Sequence, residues 1–228
     1  MSDKPTDAAS PILLTGPRRG APGDGADRLV ILLHGYGADG EDLIGIGDAL
    51  AGHLPNTRFL APNAPQRCTN NPAGYQWFPI PWMDGSSEAD MHAGFAAAAG
   101  AIDGFLDQIV EAEGIAPGRT ALIGFSQGTM MSLHVGLRRR ESLAGIVGFS
   151  GRLIAPERLE AEMASRPPVL LAHGMDDQVV PFSDMAAAET GLRAAGVDVT
   201  THASPGIGHG IAPDGLGAAL GFLTRVLG

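Results

Sequence analysis

Cysteine is nearly absent: the 228-residue chain has one, Cys68. A single thiol can form neither an internal disulfide nor a thiolate metal cluster. Stability must then come from a packed core, and a reducing compartment is tolerated. Positive charge is also scarce. Fifteen Lys and Arg stand against 25 Asp and Glu, for a formal net charge of −10. A nucleic-acid binder needs a basic face to neutralise phosphates, and docking on anionic lipid needs a polybasic patch. Neither is offered. Long apolar runs are missing too. Residues 12–14 are too short for a signal-peptide core of roughly 7–15 residues. No stretch approaches the roughly 20 apolar residues of a membrane span. The expectation is a cytoplasmic protein without stable membrane insertion. The oligomeric state, a homodimer among the options, is not set by the sequence.

What is present suits a globular enzyme. Hydrophobic residues make up 44% and charged residues 18%. A chain of this length buries roughly 70–75% of its unfolded surface. Residues 1–10 are polar and read as a flexible tail, and 11–228 as a single domain. A short edge strand is expected at 11–15 and turns at 19–27. From there, apolar β-rich runs at 29–33, 58–60, 120–124, 144–149, 169–172 and 197–202 alternate with helical spacing. The helical stretches fall at 41–54, 91–113, 128–140, 156–164, 182–195 and 213–227. Such alternation predicts an α/β fold, a mostly parallel central sheet with helices on both faces. Residues 63–90 break the rhythm. They hold several Pro and both Trp, with no clear period, and read as a lid or pocket wall.

In open α/β sheets, ligands bind beyond the carboxyl ends of the strands, so the residues after each strand matter most. After the strand at 120–124 comes Gly124-Phe125-Ser126-Gln127-Gly128. This is G-x-S-x-G, a sharp strand-to-helix turn that presents a serine and demands small neighbours. In a chain with 33 Gly the pattern alone is weak, and its position between strand and helix gives it weight. A serine nucleophile needs an imidazole base, oriented by a carboxylate, in the chain order Ser, acid, His. Of seven histidines, His53, His92 and His134 fall in helical stretches. His34 and His173 precede glycines at strand ends, and His202 ends a strand. His209 sits in a Gly-rich loop before the last helix, where it can swing over Ser126. Asp176 and Asp177, after the strand at 169–172, are equal candidates for the acid. The Gly-rich loop after 29–33 supplies an oxyanion hole, with the Tyr36 N–H as one donor and the Gln127 N–H as the other. Trp77, Phe78, Trp82 and Met83 are candidates for the wall of an acyl pocket. Cys68, in a polar loop without a neighbouring His, reads as a bystander. The chemistry calls for no metal and no cofactor. The partner is a small-molecule ester.

The segments LLHGYGADGEDL, APNAPQR, QWFPI, GFSQG, HGMDDQVVP and GHGI resemble those of the phospholipase/carboxylesterase family, which includes the acyl-protein thioesterases. They span about residues 29–211. The resemblance implies an α/β-hydrolase fold and places the acid at Asp177 through the HGxxDxxVP pattern. It supports Ser126, His209 and the two amides. The family's eukaryotic thioesterases resemble W-F-D where this chain has Trp77-Phe78-Pro79, and the stretch 81–84 is similar to bacterial carboxylesterases. A carboxylesterase acting on short- to medium-chain esters is therefore expected. Acyl-thioesterase and lysophospholipase are alternatives within enzymes. A non-catalytic binding homologue is the alternative outside them, set against the intact Ser126, Asp177 and His209.

Overall fold

A computed structural model describes residues 14–21 and 25–228. The tail at 1–10 lies outside the described residues, as does most of the edge strand expected at 11–15; Leu14 and Thr15 are not in a strand. The edge strand is instead β1, Arg18–Gly20, within a stretch expected to hold turns. Its pairing with a later strand, rather than its own sequence, makes it a strand. Its exposed arginines suit a sheet edge, where charge discourages pairing with another chain.

The remaining elements follow in β–α alternation. β2 is Arg28–Leu33, α1 Gly40–Ala51 and β3 Thr57–Leu60. The aperiodic stretch 63–90 contains a two-stranded hairpin, β4 (Gln66–Arg67) and β5 (Tyr75–Gln76), and one short helical turn, α2 (Pro81–Asp84). It also contains the first turn of α3, Glu88–Glu113. That helix starts three residues before the expected 91, because Ser87 and Asp90 form a reciprocal capping box. Then come β6 (Thr120–Phe125), α4 (Gln127–Arg138), β7 (Gly145–Phe149), α5 (Leu159–Glu162) and β8 (Val169–Gly174). α6 (Ser183–Ala194), β9 (Val199–Ser204) and α7 (Pro213–Leu227) complete the chain.

The main sheet has the order β1-β3-β2-β6-β7-β8-β9. All its pairings are parallel except β1 with β3. Its central strands are buried on both faces, as their unbroken apolar runs require. Alternate residues feed two separate cores. Leu29, Ile31, Leu33, Leu122 and Ile146 meet α3, α4 and α6 on one face. Val30, Leu32, Ile123, Val147 and Leu170 meet α1 and α7 on the other. This is the α/β-hydrolase arrangement. By length and composition α3 could cross a membrane. Here its face with Ala98, Ile102, Phe105 and Ile109 packs into the first of these cores.

Candidate active site

Ser126 sits between β6 and α4 with φ 54° and ψ −115°. That is strained for a residue with a Cβ, at a cost of about 1–3 kcal/mol. The flanking glycines explain how the turn closes. A Cβ on Gly128 would lie 1.8 Å from the Leu33 carbonyl oxygen, and one on Gly124 would lie 2.4 Å from the Gly128 carbonyl. Backbone meets backbone at both points, so no larger residue fits. The Ser126 N–H donates to Phe149 O at 2.9 Å, which fastens the elbow to β7. α4 runs away from the serine, so its N-terminus faces the site and favours negative charge there.

Asp177 follows β8, and its carboxylate is fully engaged. Oδ1 accepts from the Val179 and Val180 N–H groups at 2.8 and 2.9 Å. Oδ2 lies 2.8 Å from His209 Nδ1. Burial pushes this carboxyl up. The hydrogen bonds from His209 and from the Val180 and Val179 amides outweigh that, and hold it below the usual carboxylate range. With Asp177 ionised, Nδ1 is the protonated nitrogen of His209, which leaves Nε2 as a free base. Asp176, the other candidate, is exposed, and its N–H donates to Ile207 O at 2.9 Å. That bond ties the two loops together without placing the Asp176 carboxylate against His209. The His209 loop is fastened again by Ser150 Oγ, which donates to Gly210 O at 3.3 Å.

The loop between β2 and α1 packs against the elbow. A Cβ on Gly35 would lie 3.0 Å from the Phe125 ring and 3.4 Å from Ser126 Cβ. The hairpin pins this loop: Gly37 N–H donates to Tyr75 O and Tyr75 N–H to Ala38 O, both at 2.8 Å. Neither the Tyr36 nor the Gln127 N–H has an acceptor among the described residues. Both residues line a cavity of about 320 Å³ together with Ser126 and His209. Ser126 and His209 share that cavity without a hydrogen bond between them, and such bonds commonly tighten only when substrate binds.

Of the expected wall residues, Phe78, Trp82 and Met83 line the cavity. Trp77 does not. It is fully buried, and its indole N–H donates to His34 O at 2.8 Å, beneath the wall rather than in it. Trp82, by contrast, is 77% exposed at the cavity mouth. Cys68 lies in a loop and is buried.

Three contacts escaped the sequence reading. The Gln127 side chain accepts from Trp77 N–H at 3.1 Å and donates to Phe78 O at 2.8 Å. It thereby clamps the aromatic segment onto the elbow. His173 Nε2 lies 2.9 Å from Val180 O and 3.3 Å from Asp177 Oδ2, so a second imidazole supports the carboxylate. His34 Nε2 accepts from Ala64 N–H at 3.0 Å, so its Nδ1–H donates to Gly35 O at 2.7 Å. Burial lowers the His34 pKa, which suits this neutral tautomer. All three pairings join residues distant in sequence or cross a turn, and no local pattern announces them.

The sequence profile of the Phospholipase/Carboxylesterase family matches residues 19–227. The chain belongs to that family. Among solved structures it is similar to esterase PE8, with 46% identity over 95% of this chain and all of that one, and a TM-score of 0.89. It is 33% identical to a probable carboxylesterase of Oryza sativa subsp. japonica, over 82% of this chain and 73% of that protein. It is 29% identical to acyl-protein thioesterase 1 of Gibberella zeae, over 87% of this chain and 90% of that protein. In this Phospholipase/Carboxylesterase chain, no group of three or more His, Cys, Asp or Glu that could hold a metal ion occurs among the described residues.

Proposed function

We propose that this protein is a serine carboxylesterase, with Ser126 as nucleophile, His209 as base and Asp177 as the group that orients the base. The observation that carries the reading is the 2.8 Å Asp177–His209 hydrogen bond, delivered to the cavity that Ser126 lines. His209 Nε2 takes the Ser126 proton as Oγ attacks the ester carbonyl. The resulting oxyanion accepts from the Tyr36 and Gln127 amides, each donor being worth roughly 3–4 kcal/mol in such a site. His209 then protonates the departing alcohol. Water, deprotonated by the same nitrogen, releases the acid from the acyl-enzyme. Every proton is returned, so the cycle calls for no cofactor. The substrate is a small-molecule ester. Phe78, Trp82 and Met83 offer an apolar wall to its chain, and the cavity volume favours short to medium length.

The test is hydrolysis of p-nitrophenyl esters from acetate to palmitate by the native protein and by Ser126→Ala. The native protein is expected to prefer short to medium chains, and the variant to lose at least about 10³-fold in kcat. Full activity in the variant would overturn the nucleophile. Butanoyl thioesters measured alongside decide between the ester and thioester readings, since both share the tetrahedral intermediate.

A further inference from the structure

The cavity at Ser126 is mainly apolar, its polar lining being Tyr36, Ser126, Gln127, His209 and one permanent charge. Among the described residues no Asp, Glu or Lys lines it, although the chain is strongly acidic; Arg152 does. Arg152 stands three residues after the end of β7, on backbone that touches the elbow. A Cβ on Gly151 would lie 3.0 Å from Ser126 O. The Arg152 side chain is 44% exposed, and its Nε lies 3.0 Å from Asp184 Oδ2 at the start of α6. The two groups form an ion pair, and Asp184 Oδ2 accepts no hydrogen bond among the described residues. The two terminal nitrogens have no acceptor among the described residues.

A half-exposed pair of this kind contributes little to stability, so folding gives little reason for a cation at this place. Chemistry gives a better one. A guanidinium held beside the Asp184 carboxylate presents its N–H groups as a fork that fits a second one. Set in a mainly apolar wall, it can tell a charged ester from a neutral one of the same shape.

We propose that Arg152 is a specificity-determining residue, and that the substrate class is carboxylic esters bearing a second, anionic carboxylate group. This deepens the esterase reading and rests on it. The carboxylate pairs with the terminal N–H groups of Arg152 while the scissile carbonyl lies at Ser126. No bond to Arg152 forms or breaks, and the gain is in substrate capture.

Two ester pairs of matched shape test this. On the acyl side, p-nitrophenyl hemiglutarate is compared with p-nitrophenyl 5-methylhexanoate. On the alcohol side, the butanoate ester of 3-hydroxybenzoate is compared with that of 3-isopropylphenol. The readout is the anionic-to-neutral ratio of kcat/KM, which cancels the intrinsic reactivity of each pair and any loss of folded enzyme. Arg152→Met is expected to lower that ratio about tenfold in at least one pair, through KM, with Arg152→Lys in between. The pair that responds identifies the side of the substrate carrying the charge. Asp184→Asn, which removes the competing carboxylate, is expected to raise the same ratio. Ratios unchanged in both pairs for Arg152→Met overturn the proposal. If the neutral esters are turned over and that ratio does not move, the esterase reading stands and only the anion preference falls. A native protein inert toward all four esters overturns both.

Discussion

Gln127 does two jobs with two ends of one residue. Its amide N–H is a proposed oxyanion donor, and its side chain clamps Trp77 and Phe78. Substitution separates them, because the N–H survives any side-chain change. Gln127→Ala leaves the buried Trp77 N–H and Phe78 carbonyl unpaired, at roughly 1–3 kcal/mol each. The expected outcome is a loss of about 2–6 kcal/mol of stability in urea unfolding and a raised KM as the Phe78 wall loosens. The loss in kcat should be far smaller than for Ser126→Ala. A kcat loss equal to that of Ser126→Ala would show that the side chain takes part in the chemistry. This scale is also where sequence reading was strongest and weakest. Ser126 was legible because a strained turn leaves a local glycine signature. Asp177 could not be told from Asp176 by chemistry, since both are loop aspartates after one strand; only the family pattern separated them. The Gln127 clamp and Arg152 were invisible because their partners lie far away in sequence, and His173 because its partners meet it only across a turn.

At the scale of elements, close approach of backbone to backbone decides what can change. β2 and the start of α4 meet so tightly at Gly128 that a methyl group would overlap the Leu33 carbonyl. Gly217, inside α7, has open space around its Cβ position. Chemical denaturation of the two alanine variants should therefore diverge. Gly128→Ala is expected to lose more than about 3 kcal/mol or fail to accumulate. Gly217→Ala is expected to gain about 0.5–1 kcal/mol from better helix propensity. Equal stabilities would show that the elbow can relax. The element boundaries teach the same lesson. Runs such as β2 and β6 were legible because burial on both faces demands continuous apolar sequence. β1 was not, because two arginines and a glycine become a strand only when β3 arrives beside them. Helical spacing at 156–164 resolved into a 3₁₀ turn and one turn of helix, α5. The extra turn of α3 was written in Ser87 and Asp90, a capping signal that the apolar period alone does not reach.

Over the whole molecule, acid should destabilise the fold through its histidines as well as its carboxylates. Burial, with help from the Arg138 charge, lowers the His134 pKa to about 4. The unfolded chain holds that imidazole at about 6.5. Between these values the unfolded state binds a proton that the folded state refuses, so stability falls as pH drops from about 6.5 to 4. In His134→Gln the stability-versus-pH curve should be shallower across that window, by at most about 1.4 kcal/mol per pH unit. Thermal or urea unfolding at several pH values reads this directly, and superimposable slopes would place the proton uptake elsewhere.

The proposed machinery is also dispersed along the chain. Tyr36 follows β2, Ser126 follows β6, Arg152 follows β7, Asp177 follows β8 and His209 follows β9. Any fragment that holds nucleophile, base and orienting carboxylate together must run at least from Ser126 to His209. During synthesis, a chain that has already exposed Ser126 still lacks the imidazole that would activate it. The base arrives only with the last strand and the final helix, when the sheet can close. On the proposed assignment, a chain built in this order has no esterase activity half-made, and activity in a translation time course reports completion of the fold.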